Sequence, residues 1–354
     1  MILIIGAVIV GSLLLWNYAK PEPVSTPIAT NEKAKVVPSI SAQQSEKQHV
    51  FVPYWTFTKN IVTDSEYSLI YFGVAINEKG LETSDRGYES IASFIRFTPN
   101  ARERILAIRM LDKSINAKIL KDSSLQEKIA TDAVTLAKKY DFDGILLDYE
   151  TSAFGFESTT NNITSLYKLF SNKARSQNML FYVSLYGDTY FQSRPYDVKQ
   201  ISIISDKVLI MAYDFSKSRG NPGPNFPLVD INEYGYDFGK MISDFQKDVD
   251  NQKLIVTLGY FGYDWRVNGK GESVTNGVPL STNEIEKEFI DECEYKECKL
   301  TRNGKTSEPS ISYTDEGGED HIIWFEDDAS VSKKIEFLKT KGILEIASWA
   351  YSYY

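Results

Sequence analysis

Beyond residue 48 the chain alternates between short, nearly continuous apolar runs and longer stretches in which apolar residues recur every three or four positions. The short runs predict strands at His49–Tyr54, Ser68–Ile76, Arg104–Arg109, Gly144–Asp148, Met179–Leu185, Lys207–Ala212, Lys253–Gly259 and Ile343–Trp349. Runs that are apolar on both alternating faces suit strands covered on both sides, as in a parallel sheet packed by helices. The longer pattern predicts helices at Leu125–Lys139, Asn161–Ser176, Glu233–Val249 and Ala329–Lys341. Eight strands alternating with helices over about 305 residues point to an α/β fold, a (β/α)8 TIM barrel, rather than an open doubly wound sheet. No Gly-rich phosphate loop follows the first strand, which weighs further against the open sheet.

Two regions break the alternation. Roughly seventy residues separate the seventh strand from the helix at Ala329, and they predict a small inserted α+β or hairpin subdomain over about 266–328. Its strand-like pair is Ser310–Tyr313 and His321–Phe325; Cys293 and Cys298 lie ahead of it, either as a small disulfide or as two thiols on a loop. At the other end, Ile2 to Trp16 is apolar apart from Ser12, and no Lys or Arg precedes it. About fifteen to eighteen residues at 1.5 Å each span roughly 22–27 Å. Residues 1–19 therefore predict an uncleaved membrane anchor, with a cleaved export signal as the second choice. Residues 20–48, rich in Pro, Ser, Thr and Lys, read as a disordered tether. The globular body is expected over 49–354, membrane-anchored or secreted, with its barrel outside the cytoplasm.

Composition narrows the chemistry. The 354 residues carry 39 Lys and Arg against 48 Asp and Glu, a net charge of −9, which argues against a nucleic-acid partner. Only two histidines and two cysteines are present, too few for a thiolate zinc site and close to excluding histidine-based metal or triad chemistry. Neither a metal nor a cofactor is expected, and the even spread of charge is read as a monomer. What remains is carboxylate chemistry. In the run Tyr140 to Glu150, strand alternation puts Leu146, Asp148 and Glu150 on one face and Ile145 and Leu147 on the other. Two carboxylates side by side at the end of an apolar strand resist ionising together, so one should keep its proton to higher pH. In a barrel, that end of the strand opens into the active site. The alternative is a pair of acids that only cap the next helix.

The segment Asp143-Gly-Ile-Leu-Leu-Asp-Tyr-Glu150 resembles the D-x-x-D-x-D-x-E signature of family 18 glycoside hydrolases, the chitinase-like barrels. Asp143, Asp148 and Glu150 match its first, third and fourth acids, and Leu146 stands where the second would be. Met211-Ala-Tyr-Asp214 is similar to the M-x-Y-D of the sixth strand, Gly259 to Trp265 to the run after the seventh, and Ser348-Trp349 to the end of the eighth. The stretch Tyr313 to Asp327 is similar to the family's segment before the last helix, so the likeness covers His49 to Tyr354. Asn221 to Pro227, with Gly262-Tyr-Asp-Trp265, resembles the branch of spore-cortex and cell-wall N-acetylglucosaminidases. Two further departures stand out. The Ser-x-Gly-Gly of the third strand is replaced by Ile105-Leu-Ala-Ile-Arg-Met110, and a first-strand tyrosine is Phe51 here, before Trp55.

The resemblance implies hydrolysis of β-1,4-linked N-acetylglucosamine glycans, chitin or peptidoglycan, with the substrate's own N-acetyl group as nucleophile. It implies Glu150 as general acid and then base, Asp148 as the group that orients the acetamido N–H, and Tyr213 as donor to its carbonyl. Asp143, Met211, Asp214, Trp349 and Trp55 are the expected substrate-binding residues. The rival reading is a barrel that binds such glycans without cleaving them.

Overall fold

The computed structural model describes residues 47–57, 66–151 and 155–354. The expected anchor, and the expected tether up to residue 46, lie outside the described residues. Seven parallel strands come first: β1 (Lys47–Pro53), β2 (Tyr67–Asn77), β3 (Glu103–Met110), β4 (Gly144–Tyr149), β5 (Leu180–Tyr186), β6 (Lys207–Met211) and β7 (Leu254–Gly259). Five antiparallel strands follow: β8 (Phe261–Val267), β9 (Val278–Ser281), β10 (Lys296–Arg302), β11 (Pro309–Thr314) and β12 (Asp320–Phe325). The last barrel strand is β13 (Glu345–Trp349). Because β13 pairs with β7 and with β1, and β1 pairs with β2, the eight parallel strands close on themselves. All eight predicted strands are present, with ends moved by two residues at most.

Alternation along the strands builds two cores. Phe51, Ile70, Ile105, Ala107, Leu146, Tyr182, Leu209 and Ile255 point inward and fill the barrel. Their neighbours Leu106, Ile108, Ile145, Leu147, Val183 and Ile210 point outward and pack under the helices. The expected faces of the acidic strand are thus correct: Leu146 lies inside, Ile145 and Leu147 outside.

Two expectations are corrected. The helical pattern Glu233–Val249 divides into Ile231–Tyr234 and Phe238–Phe245. Gly235 takes a left-handed conformation (φ 72°) that ends the first helix, and the Asp237 carboxylate accepts from the Lys240 N–H to start the second. The insertion is also larger than a hairpin. It begins at Phe261 and forms a five-stranded sheet ordered β9-β8-β12-β11-β10, with Ile285, Phe289, Ile311, Tyr313, Ile323 and Phe325 beneath it. A disulfide joins Cys293, ahead of β10, to Cys298 within it.

The insertion is tied to the barrel by a buried ion cluster. Lys334, on the helix Asp328–Thr340, is fully enclosed and reaches Glu308 at 2.8 Å and also Glu326. Glu308 in turn accepts from the backbone N–H of Asn225 and, at 2.8 Å, of Phe226, both in the loop after β6.

Candidate functional site

Asp148 is the inward-facing acid at the C-terminal end of β4 and is 4% exposed. Its Oδ1 accepts from the Ser184 hydroxyl on β5. Burial, and then the charge of Glu150, raise its pKa to about 7, while the Ser184 hydrogen bond and Arg109 act in the opposite direction. It caps no helix: the helix Glu157–Ser176 starts at Phe156 with no side-chain cap. Glu150 follows β4 and is half-buried. Its backbone is fixed on both sides, the N–H donating to Met110 O at 2.8 Å and the C=O accepting from Asn116 Nδ2 at 2.7 Å. One carboxylate is therefore sunk in the barrel mouth and the other stands above it on a held backbone.

Tyr213 enters from the segment after β6, half-buried. Burial, then the charges of Asp148, Asp214 and Glu150, push its phenol well above the ordinary value, so it is a neutral donor at any working pH. Its ring lies 5.7 Å from Phe261 and 6.2 Å from Trp349. The charges of Asp148 and Glu150 both reach the Tyr213 phenol. Asp214 accepts from the Tyr263 hydroxyl at 2.7 Å, and burial raises its pKa. Met211 ends β6 on its inward face, 9% exposed. Trp349 closes β13 against Phe72 at 4.8 Å and Phe51 at 5.3 Å. Trp55, past the end of β1, is 49% exposed and offers an open aromatic face beside Tyr54.

Asp143 is the exception among the expected residues. It precedes β4 at the opposite end of the strand, where its Oδ2 accepts from the Arg104 N–H at 2.7 Å and its own N–H donates to Arg104 O at 2.8 Å. Six residues of strand, roughly 20 Å, separate it from the mouth, so it staples β3 to β4 and touches no substrate there. Three side chains went unrecognised in the sequence: Ser184 and Tyr186 on β5, and Arg109 on β3. Their signal was present, because each lies two or four residues beyond an inward core position, Tyr182 or Ala107. The Tyr186 hydroxyl is buried, and after burial the Glu150 carboxylate is the group that acts on it most.

A closed parallel barrel with an Asp and a Glu at the mouth of its fourth strand, a phenol within reach of their charges and an indole beside that phenol, fits a carbohydrate-directed barrel. The sequence profile of glycosyl hydrolases family 18 matches residues 112–353, more than half of the chain, and the chain belongs to that family. It is 25% identical over 234 residues to a cortical fragment-lytic enzyme of Bacillus anthracis, covering 65% of this chain and about half (51%) of that one. A class V chitinase structure from Nicotiana tobaccum superposes with a TM-score of 0.73 at 16% identity, covering 87% of this chain and 94% of that one. The spore cortex-lytic enzyme SleL of Bacillus cereus gives a TM-score of 0.69 at 18% identity, covering 89% and 72% respectively.

Proposed function

We propose that the chain is a glycosidase that cleaves β-1,4 linkages of N-acetylglucosamine-containing glycans by substrate-assisted, retaining catalysis. The observation that carries this reading is the stacked pair at the end of β4, buried Asp148 with half-open Glu150 above it, with the neutral phenol of Tyr213 bearing on both. In the first step the acetamido oxygen of the sugar attacks its own anomeric carbon while Glu150 gives its proton to the departing glycosidic oxygen. Asp148 accepts from the acetamido N–H and balances the oxazolinium charge, and Tyr213 holds the carbonyl in line. In the second step Glu150 takes a proton from water, which opens the ring intermediate with net retention. Trp349 and Trp55 supply apolar faces for sugar rings.

Relatives named as a cortical fragment-lytic enzyme and a class V chitinase support both candidate polymers, and the tobacco chitinase is also known in complex with NAG4. The Cys293–Cys298 disulfide supports an exported, extracytoplasmic barrel. Leu146 and the absent third-strand glycines favour one second reading, a barrel that binds glycan without cutting it. Mass-spectrometric product analysis on chitin oligomers and on purified peptidoglycan separates the two. Glu150→Gln is expected to cut turnover by at least about 100-fold while leaving glycan affinity in place; equal turnover by the variant refutes the assignment.

A further inference from the structure

Arg109 is turned toward the barrel interior by the alternation of β3, two residues beyond Ala107, and it is paired in register with Asp148 on β4. The family pattern places glycine near this end of the third strand, so the smallest side chain has given way to a long cation. Its side chain is 12% exposed. The guanidinium carbon lies 5.3 Å from the ring centres of Tyr54 and Phe72 and 6.0 Å from that of Trp55. Nη2 forms an ion pair with Asp85 at 3.2 Å, and Nε is buried with no hydrogen-bond partner among the described residues.

A guanidinium carries five N–H donors, and the Asp85 contact uses one. Enclosing Nε among aromatic rings costs free energy unless an acceptor arrives, and a planar carboxylate is the acceptor that matches the fork. The surroundings say which sugars need it. Asp148 and Glu150 on the neighbouring strand, and a chain of net charge −9, repel an acidic glycan; a neutral one meets no such barrier. A cation on this strand serves the acidic substrate. Trp55, half-exposed next to Arg109, is where the adjoining sugar ring would stack.

We propose that Arg109 is a specificity residue that binds the carboxylate of an acidic N-acetylated glycan, the lactyl ether carboxylate carried by the muramic acid units of peptidoglycan, beside the sugar on Trp55. This rests on the glycosidase reading above, and it selects the acidic cell-wall polymer over neutral chitin.

The test is a binding comparison in Glu150→Gln protein, so that turnover does not enter. The probes are peptidoglycan glycan strands freed of stem peptides, and the same strands after their carboxylates have been reduced to alcohols. The acidic strands are expected to bind at least about tenfold more tightly, as a charged hydrogen-bonded contact gives. In Glu150→Gln/Arg109→Gln the preference should vanish, and in Glu150→Gln/Arg109→Lys part of it should survive. Because the preference is a ratio on one protein, any effect of Arg109 on Asp148 cancels. Equal binding of both strands by Glu150→Gln, or a preference that persists without Arg109, overturns the proposal. So does a preference seen only with intact stem peptides, which assigns the acid to the peptide. The first comparison needs no change at Arg109, so an Arg109 variant that fails to fold leaves it decisive. Failure of the wild type to hydrolyse any glycan would strike the glycosidase reading and leave the binding ratio interpretable.

Discussion

Removing the Ser184 hydroxyl tests how the acid pair is tuned. That hydroxyl donates to Asp148 Oδ1, and Asp148 ionises only at about 7 because burial and the Glu150 charge oppose it. Asp148 therefore keeps its proton up to about pH 7. The proposed reaction needs Asp148 charged, as the partner of the oxazolinium. kcat/KM should therefore rise through about pH 7 as Asp148 ionises. Ser184→Ala deletes a hydrogen bond that favours the ionised Asp148. Such a bond to a charged group contributes about 1.5–3 kcal/mol, and about 1.4 kcal/mol corresponds to one pH unit. That rising limb should therefore move up by about one to two pH units. At a given pH below the shifted limb, where less Asp148 is ionised, the rate should fall about 10- to 100-fold. Reducing-end release from chitin oligomers, followed from about pH 4 to pH 10, reads both effects, and thermal unfolding checks that the barrel is intact. A limb that stays in place or moves down refutes the reasoning, since a merely structural role for Ser184 would leave it unmoved.

Lys334→Met removes the cation from a fully enclosed cluster and leaves Glu308 and Glu326 facing each other, so a loss of about 3–5 kcal/mol is expected by urea unfolding at pH 7. The deficit should shrink at lower pH as Glu326, whose pKa burial raises, takes up a proton; a loss below about 1 kcal/mol contradicts the assignment of the cluster as a clamp. At the opposite end of the barrel, burial works against ionised Glu345, but hydrogen bonds from His49 and Lys207 outweigh it and hold its pKa at about 2, below the ordinary 4.5. Its contribution is present above about 4.5 and disappears as the pH falls toward about 2, an amount of roughly 3 kcal/mol. Glu345→Gln should flatten the acid side of the stability–pH curve, and an unchanged slope between pH 5 and pH 2 would count against this origin.

Much of the barrel was legible because both faces of each strand are covered, which writes itself as short unbroken apolar runs. Asp148 and Glu150 were legible for the same reason: charge at the end of such a run has few innocent explanations. Asp143 was misplaced because a linear motif does not say which end of the strand a residue occupies; its carboxylate staples β3 to β4 at the far end. The helix split at Gly235 was hidden because the apolar period continues across the break while the backbone does not. Ser184 and Arg109 were missed for a different cause. Each is an ordinary polar residue in its own strand, and its meaning appears only when β3, β4 and β5 are laid side by side.

The insertion likewise acquires its role only in three dimensions, and that role goes beyond walling a cleft. Asp214, next to the phenol that the acids' charges reach, sits at φ 58°, a left-handed backbone conformation uncommon outside glycine. Something must hold it there, and two contacts do. Its N–H donates to Asn225 Oδ1 at 2.8 Å, and its carboxylate accepts from Tyr263 on β8, the first strand of the insertion. Asn225 is fixed in turn through its own N–H by Glu308, and Glu308 by Lys334 on the last helix. A continuous chain of bonds thus runs from a buried lysine, through the inserted sheet, to the backbone that aims Tyr213. The expected substrate-holding phenol owes its position to residues more than eighty positions away in sequence, and weakening the clamp at Lys334 should therefore loosen the grip on the acetamido group before the barrel itself unfolds.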